Sequence, residues 1–289
     1  MARRHLDTAL DVIVDMVRNS QFEPEEIEKE RKVILEELNM TNDSPHSRVD
    51  LLIDEVFWPN QPLGRDVGGS KETVTAITRE QALEYMAAQY TPGNTVVAVA
   101  GDVSHEDVVG KLESYLGSWE AKSAKSVYAA EDDQDSPRVK VETRKTEQAH
   151  IALGVKGLSS SHPDRYCLDL LSIVLGEGMS SRLFEELRER RGLAYDVHSY
   201  TYHFLDSGGF AVYAGVDPKN AHEAVKVLSQ QLGQLRQGVS EEELSKAKEL
   251  SKGRILLRME DTRAVCGWMG AQELLLSQVK TVDEVVSAL

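Results

Sequence analysis

Residues 22–39 read FEPEEIEKERKVILEELN, and the fold turns on how this stretch is read. It predicts one amphipathic helix. Pro24 suits the first helical position, and Asp43-Ser44-Pro45 lies beyond the end. At roughly 100° per residue, Ile27, Val33, Ile34 and Leu38 share an apolar face. Glu30 and Glu37 are seven residues apart, about two turns, so they fall within that face, while Glu28 and Lys32 point to solvent. Two carboxylates aimed at a core are expected either to pair with an Arg or Lys or to meet a metal. The helix alone leaves both readings open.

The chain of 289 residues is long enough for two domains, and 41% hydrophobic residues supply a sizeable core. A formal net charge of −15 argues against nucleic acid or an anionic membrane as the main partner. Cys167 and Cys266 lack metal-ligand spacing; two buried thiols are expected, with one long-range disulfide as the alternative. No apolar run reaches about 18 residues, so no membrane span is expected. Met1 is not followed by a signal-peptide pattern. The compartment stays open, with the cytoplasm as the default.

Helical periodicity precedes the glutamate stretch at Leu6–Arg18 and follows it at Ser47–Trp58. Thr78 with Gln81 forms a capping box for a helix to about Gln89, and Ser104 caps another from Glu106 to Leu116. Between them TVVAVA, residues 95–100, reads as a buried strand. Residues 120–138 are small, charged and aperiodic and read as a linker. Strands follow at 139–143 and 150–154, then helices at 162–175 and 182–191, the latter closed by Gly192. Strands at 195–204 and 210–216 flank Asp206-Ser207-Gly208-Gly209, a hairpin signal. Helices are expected from Ala221, from a Ser240–Glu243 capping box, from Thr262, and from a Thr281–Glu284 capping box to the end.

An offset of 217 residues pairs Ile27 with Leu244 and Lys29 with Lys246, a weak domain-scale repeat. It turns Glu30 into Ala247 and Glu37 into Arg254, which favours a special role for the first copy. The expected fold is α+β, with two homologous domains, each an antiparallel sheet with helices packed on it. The domains are expected at 1–119 and 139–289, joined by the 120–138 linker.

EKERKVILEELN, PLGR with a following GG, AVAGDVSHEDV, and LGEGMSSRLFEELRERRGLAY together resemble the insulinase/pitrilysin zinc peptidases, in the form similar to mitochondrial processing peptidase. The resemblance covers nearly the whole chain in order. It implies a zinc endopeptidase that cleaves unfolded or extended peptides by metal-activated water. It assigns Glu37 as the distal zinc ligand and Glu30 as its supporting carboxylate. It assigns Arg188 and Tyr195 to holding the substrate and stabilising the oxyanion. The chain departs from the family in having no H-x-x-E-H, since no two of its 8 histidines are four apart. The expectation is therefore a fragment that lacks the zinc helix and ends inside a helix at Leu289, inactive by itself. The implied partners are a peptide and a second copy or related subunit, as homodimer or heterodimer. The alternative is a non-catalytic partner or scaffold subunit of a processing-peptidase-like complex.

Weaker candidates read as structural. Gly68-Gly69 and Gly176-Glu177-Gly178 are turns, His198 and His203 fall on opposite strand faces, and His150 stands alone.

Overall fold

The computed structural model describes residues 2–124 and 126–289. It divides into two compact units, each drawn from three stretches of chain: residues 1–36, 70–127 and 256–280 in the first, and 37–69, 128–255 and 281–289 in the second. The architecture is α+β, rich in helix with one small antiparallel sheet among the described residues.

The first unit holds α1 (Leu6–Arg18), most of α2 (Pro24–Asp43), α4 (Lys71–Ala76), α5 (Arg79–Gln89), α6 (His105–Leu116) and α10 (Thr262–Leu276). Leu6 and Leu10 of α1 meet Val108 of α6 in a small core that Val99, Val103, Leu112 and Tyr115 extend. Thr78 and Gln81 form the expected reciprocal cap. Residues 95–100 form no strand among the described residues, and Val96 and Val97 stay 37% and 46% exposed. An apolar extended run becomes a strand only when a neighbour satisfies its backbone. Here α10 occupies that flank: the Cys266 thiol donates to the Ala98 carbonyl at 3.0 Å. The strand expected in this unit is thus corrected to a segment without regular secondary structure.

The second unit holds α3 (Pro45–Phe57), β1 (Ala149–Lys156), α7 (Arg165–Gly176), β2 (Ala194–His203), β3 (Gly208–Val216), α8 (Ala221–Gln234), most of α9 (Glu241–Arg258) and α11 (Val282–Ala288). Its sheet runs β1-β3-β2, with β3 antiparallel to both neighbours. Val212, Ala214 and Val216 of β3 pack with Leu175, Leu183, Leu187 and the α8 residues Ala224, Val227 and Leu228. The opposite face carries α3. Gly154 on β1 permits that approach, since a Cβ there would lie 2.2 Å from the Phe57 ring. Residues 139–143, expected as a strand, form none among the described residues.

The layer between α3 and the sheet is polar. His46 and His198 lie 4.4 and 5.0 Å from the Tyr213 ring, and Tyr213 Oη is 2.7 Å from His150 Nδ1. Tyr200 donates to Asp50 at 3.3 Å. Burial pushes Asp54 up to about 6, against a hydrogen bond from Tyr202. His203 turns to the other sheet face, where its Nε2 is 2.9 Å from Asp169. The two strand histidines are therefore separated as alternation requires.

The 217-residue offset is visible in the helices. It carries Pro24 onto Glu241, the first residue of α9, and Pro45 onto Thr262, the first residue of α10. The α3 and α10 counterparts are each grouped with the other half of the chain.

Candidate functional site

The site is built where helix and strand both depart from regularity. After Ser181, buried and bonded to the Gly178 carbonyl at 2.8 Å, the chain enters a helix whose stretch Phe184–Arg190 is π-helical. Such turns are rare and cluster at functional sites. Leu183 and Leu187, both 0% exposed, hold its inner face in the core. The amides of Gly192 and Leu193 close the helix onto the Arg188 and Leu187 carbonyls at 3.2 and 2.7 Å. Gly192 has φ +58°, a left-handed conformation that glycine adopts without strain.

The chain then enters β2. Ala194 pairs with Val216 and Asp196 with Gly215, so Tyr195 is the extra residue of a β-bulge. A bulge re-aims its side chain. Ala194 and Val197 stay in the core, while Tyr195 stands out at 75% exposure. The guanidinium of Arg188 lies 4.9 Å from the Tyr195 ring centroid and 4.9 Å from that of Phe184. One of its N–H groups donates to the Tyr195 carbonyl at 3.1 Å. The structure thus brings the two residues that the resemblance singles out into direct contact.

The other arginines of this segment are paired. Arg182 forks onto Glu243 at 2.6 and 2.8 Å, holding that carboxyl down at about 2. Arg190 meets Glu186 at 3.2 Å, and Arg191 meets Glu186 and Glu223 at 2.7 and 2.9 Å. Among the described residues Arg188 has no carboxylate partner. A fork of donors stacked on rings and left without a counter-charge suits a carbonyl or an oxyanion.

Glu30 and Glu37 stand differently from the expectation of buried carboxylates. Both are exposed on α2, Glu30 in the first unit and Glu37 in the second. The least exposed stripe of α2 runs through the half-buried Ile27, Arg31 and Ile34 to the buried Leu38, and Val33 is 49% exposed. Arg31 is the inward charge. Its side chain is 13% exposed, it donates to Thr75 and Ile77 carbonyls at 3.1 and 2.9 Å and to the Val74 carbonyl, and it pairs with Glu28 at 3.1 Å. Burial therefore does not mark the two glutamates as ligands. Ala247, the repeat counterpart of Glu30, is 1% exposed in its own core.

Among the described residues no group of three or more His, Cys, Asp or Glu side chains converges to hold a metal ion. A zinc site takes three or four such ligands. The residues present do not by themselves fit zinc; Glu37 offers at most one carboxylate. Nor is any helix among them long and apolar enough to cross a membrane.

The comparisons with known proteins agree with one another. Residues 1–71 match the model described as Insulinase (Peptidase family M16), and residues 76–251 match the Peptidase M16 inactive domain. The chain is 36% identical over 286 residues to the uncharacterized zinc protease YmxG of Bacillus subtilis, covering 99% of this chain and 69% of that protein. It is 37% identical to the uncharacterized zinc protease SCO5738 of Streptomyces coelicolor, covering 98% and 64%. The chain thus spans about two thirds of the length of these relatives. Among solved structures, a protease from Helicobacter pylori superposes with a TM-score of 0.88 at 24% identity, covering 99% of this chain and 74% of that one. A chain of complex III2 from Candida albicans superposes at 0.84 and 18% identity, covering 100% and 71%. These two show the shared fold. The sequence matches show the family: this chain belongs to the insulinase family of zinc peptidases, M16.

Proposed function

We propose that this chain binds and orients peptide for a zinc endopeptidase of the insulinase type, with Arg188 and Tyr195 as the groups that touch substrate. The observation that carries the reading is the state of Arg188. It alone among the arginines of its segment lacks a carboxylate partner, and it lies against the rings of Phe184 and of the exposed Tyr195. Its free N–H donors meet the carbonyl oxygen of an extended peptide, and the Tyr195 hydroxyl donates to the same or the next carbonyl. Both interactions strengthen as negative charge develops on that oxygen. Extended peptide suits such a site because its carbonyls are free of internal bonds. Hydrolysis in such an enzyme uses metal-activated water. The donors described here do not assemble a metal site, so the roles drawn for this chain are binding roles. Within the same proposal Glu37 contributes one carboxylate to the zinc and Glu30 supports it; their exposure leaves both open to further partners. The peptidase works as a homodimer or with a related subunit.

A second reading is favoured by the match of residues 76–251 to the Peptidase M16 inactive domain. On that reading the chain is a non-catalytic partner that supplies Arg188 and Tyr195 to a zinc-bearing homologue. The test is zinc content and hydrolysis of an unstructured peptide by the protein expressed from its complete reading frame, with Glu37→Gln beside it. Zinc near one per chain, lowered in the variant together with cleavage, supports the peptidase. No zinc and no cleavage overturns it in favour of the partner.

A further inference from the structure

We propose that Phe184 is a positioning residue for Arg188, its ring holding the guanidinium where it meets a peptide carbonyl. The inference rests on the reading of Arg188 as a peptide-binding group. An exposed arginine samples many rotamers, and proteins usually fix one with a carboxylate, as Glu243 fixes Arg182 here. A carboxylate would also cancel the charge and occupy the donors that substrate needs. A ring face attracts the cation through its quadrupole and uses none of the N–H groups. Phe184 sits four residues before Arg188, on the same helical face, with the guanidinium 4.9 Å from its ring centroid. The Tyr195 ring lies at the same distance. Of the five guanidinium donors, one is spent on the Tyr195 carbonyl. Leu183 and Leu187 of the same segment are 0% exposed, while Phe184 is half-buried and Arg188 exposed.

The test uses the protein from its complete reading frame. Phe184→Leu keeps an apolar side chain and removes the ring face, and kcat/KM falls about fivefold, the size of an exposed cation–π contact. Phe184→Tyr restores it. In an Arg188→Ala background Phe184→Leu has no further effect, because the residue acts through the arginine. A readout independent of activity is the Nε–Hε resonance of Arg188 in a 15N-labelled sample. The rings displace it in wild type and in Phe184→Tyr, and it moves toward the position of a solvated arginine in Phe184→Leu. The proposal is overturned if the two losses add, if Phe184→Tyr is as impaired as Phe184→Leu, or if the resonance ignores the ring. Should wild type cleave no peptide, the peptidase reading falls, and an unmoved resonance would separately overturn the ring contact.

Discussion

Replacing Arg31 by Met tests how α2 is held. The substitution keeps most of the apolar stem and removes every donor. Arg31 binds the carbonyls of Val74 and Thr75 in the last turn of α4, which helix geometry leaves without partners, and that of Ile77 just beyond it. Its charge also lies at the negative end of that helix. The Glu28 contact adds little, because that carboxylate is 63% exposed and exposed pairs contribute about 0–1 kcal/mol. The carbonyl bonds are charge-assisted, but only the one to Val74 is partly shielded from water while those to Thr75 and Ile77 are exposed, so the expected loss is about 1–3 kcal/mol after resolvation. Urea unfolding of wild type, Arg31→Met, Arg31→Lys and Glu28→Gln measures it. Arg31→Met should lower the midpoint with little change in slope. Lysine, without the fork, should recover only part of the loss, and Glu28→Gln should cost under about 1 kcal/mol. A loss below about 0.5 kcal/mol for Arg31→Met, or full recovery by lysine, would refute the claim that this fork docks the helix.

Three further outcomes follow from the second unit. Gly154→Ala should cost about 1–3 kcal/mol by overpacking, since the new methyl meets the Phe57 ring at 2.2 Å, and Phe57→Leu should recover part of it in a double variant. Glu243 is held down at about 2 by Arg182, so the folded state favours its ionised form; the stabilisation is complete above the ordinary carboxyl value of 4.5 and is lost as pH falls toward 2, and Glu243→Gln should flatten that acid limb in thermal melts. Asp54 has the opposite sign: burial raises it to about 6 from 3.8, so stability is lost as pH rises from 4 through 6, and Asp54→Asn should gain in melting temperature relative to wild type over that window.

Local chemistry was legible in the sequence where it is self-contained. The Thr78–Gln81, Ser240–Glu243 and Thr281–Glu284 caps form as their spacing implies, because both partners lie within one turn. The hairpin around Asp206–Gly209 and the 217-residue repeat are also local or self-referential signals. The burial of α2 was not legible. Glu30, Arg31 and Glu37 border the same apolar residues, and which charge turns inward depends on carbonyls at 74–77, more than 40 residues away in sequence. The run at 95–100 has strand composition, but pairing is a property of its neighbours. At Arg188 and Tyr195 the family resemblance named two residues that the structure places in contact. The π turn and the bulge that join them arise from closing a helix onto a strand, and composition carries no mark of either.

The central claim is that Arg188 is reserved for peptide while its neighbours are committed to the fold. Arg190 is the natural comparison, on the same segment but paired with Glu185 and Glu186. The deciding measurement is kcat/KM on an unstructured peptide for Arg188→Ala and Arg190→Ala, in the protein from its complete reading frame, with bound zinc assayed in parallel. The account predicts a loss of about 100-fold or more for Arg188→Ala with zinc unchanged, the size of a removed oxyanion donor, and near wild-type activity for Arg190→Ala. Equal effects of the two substitutions, or full activity without Arg188, would contradict it.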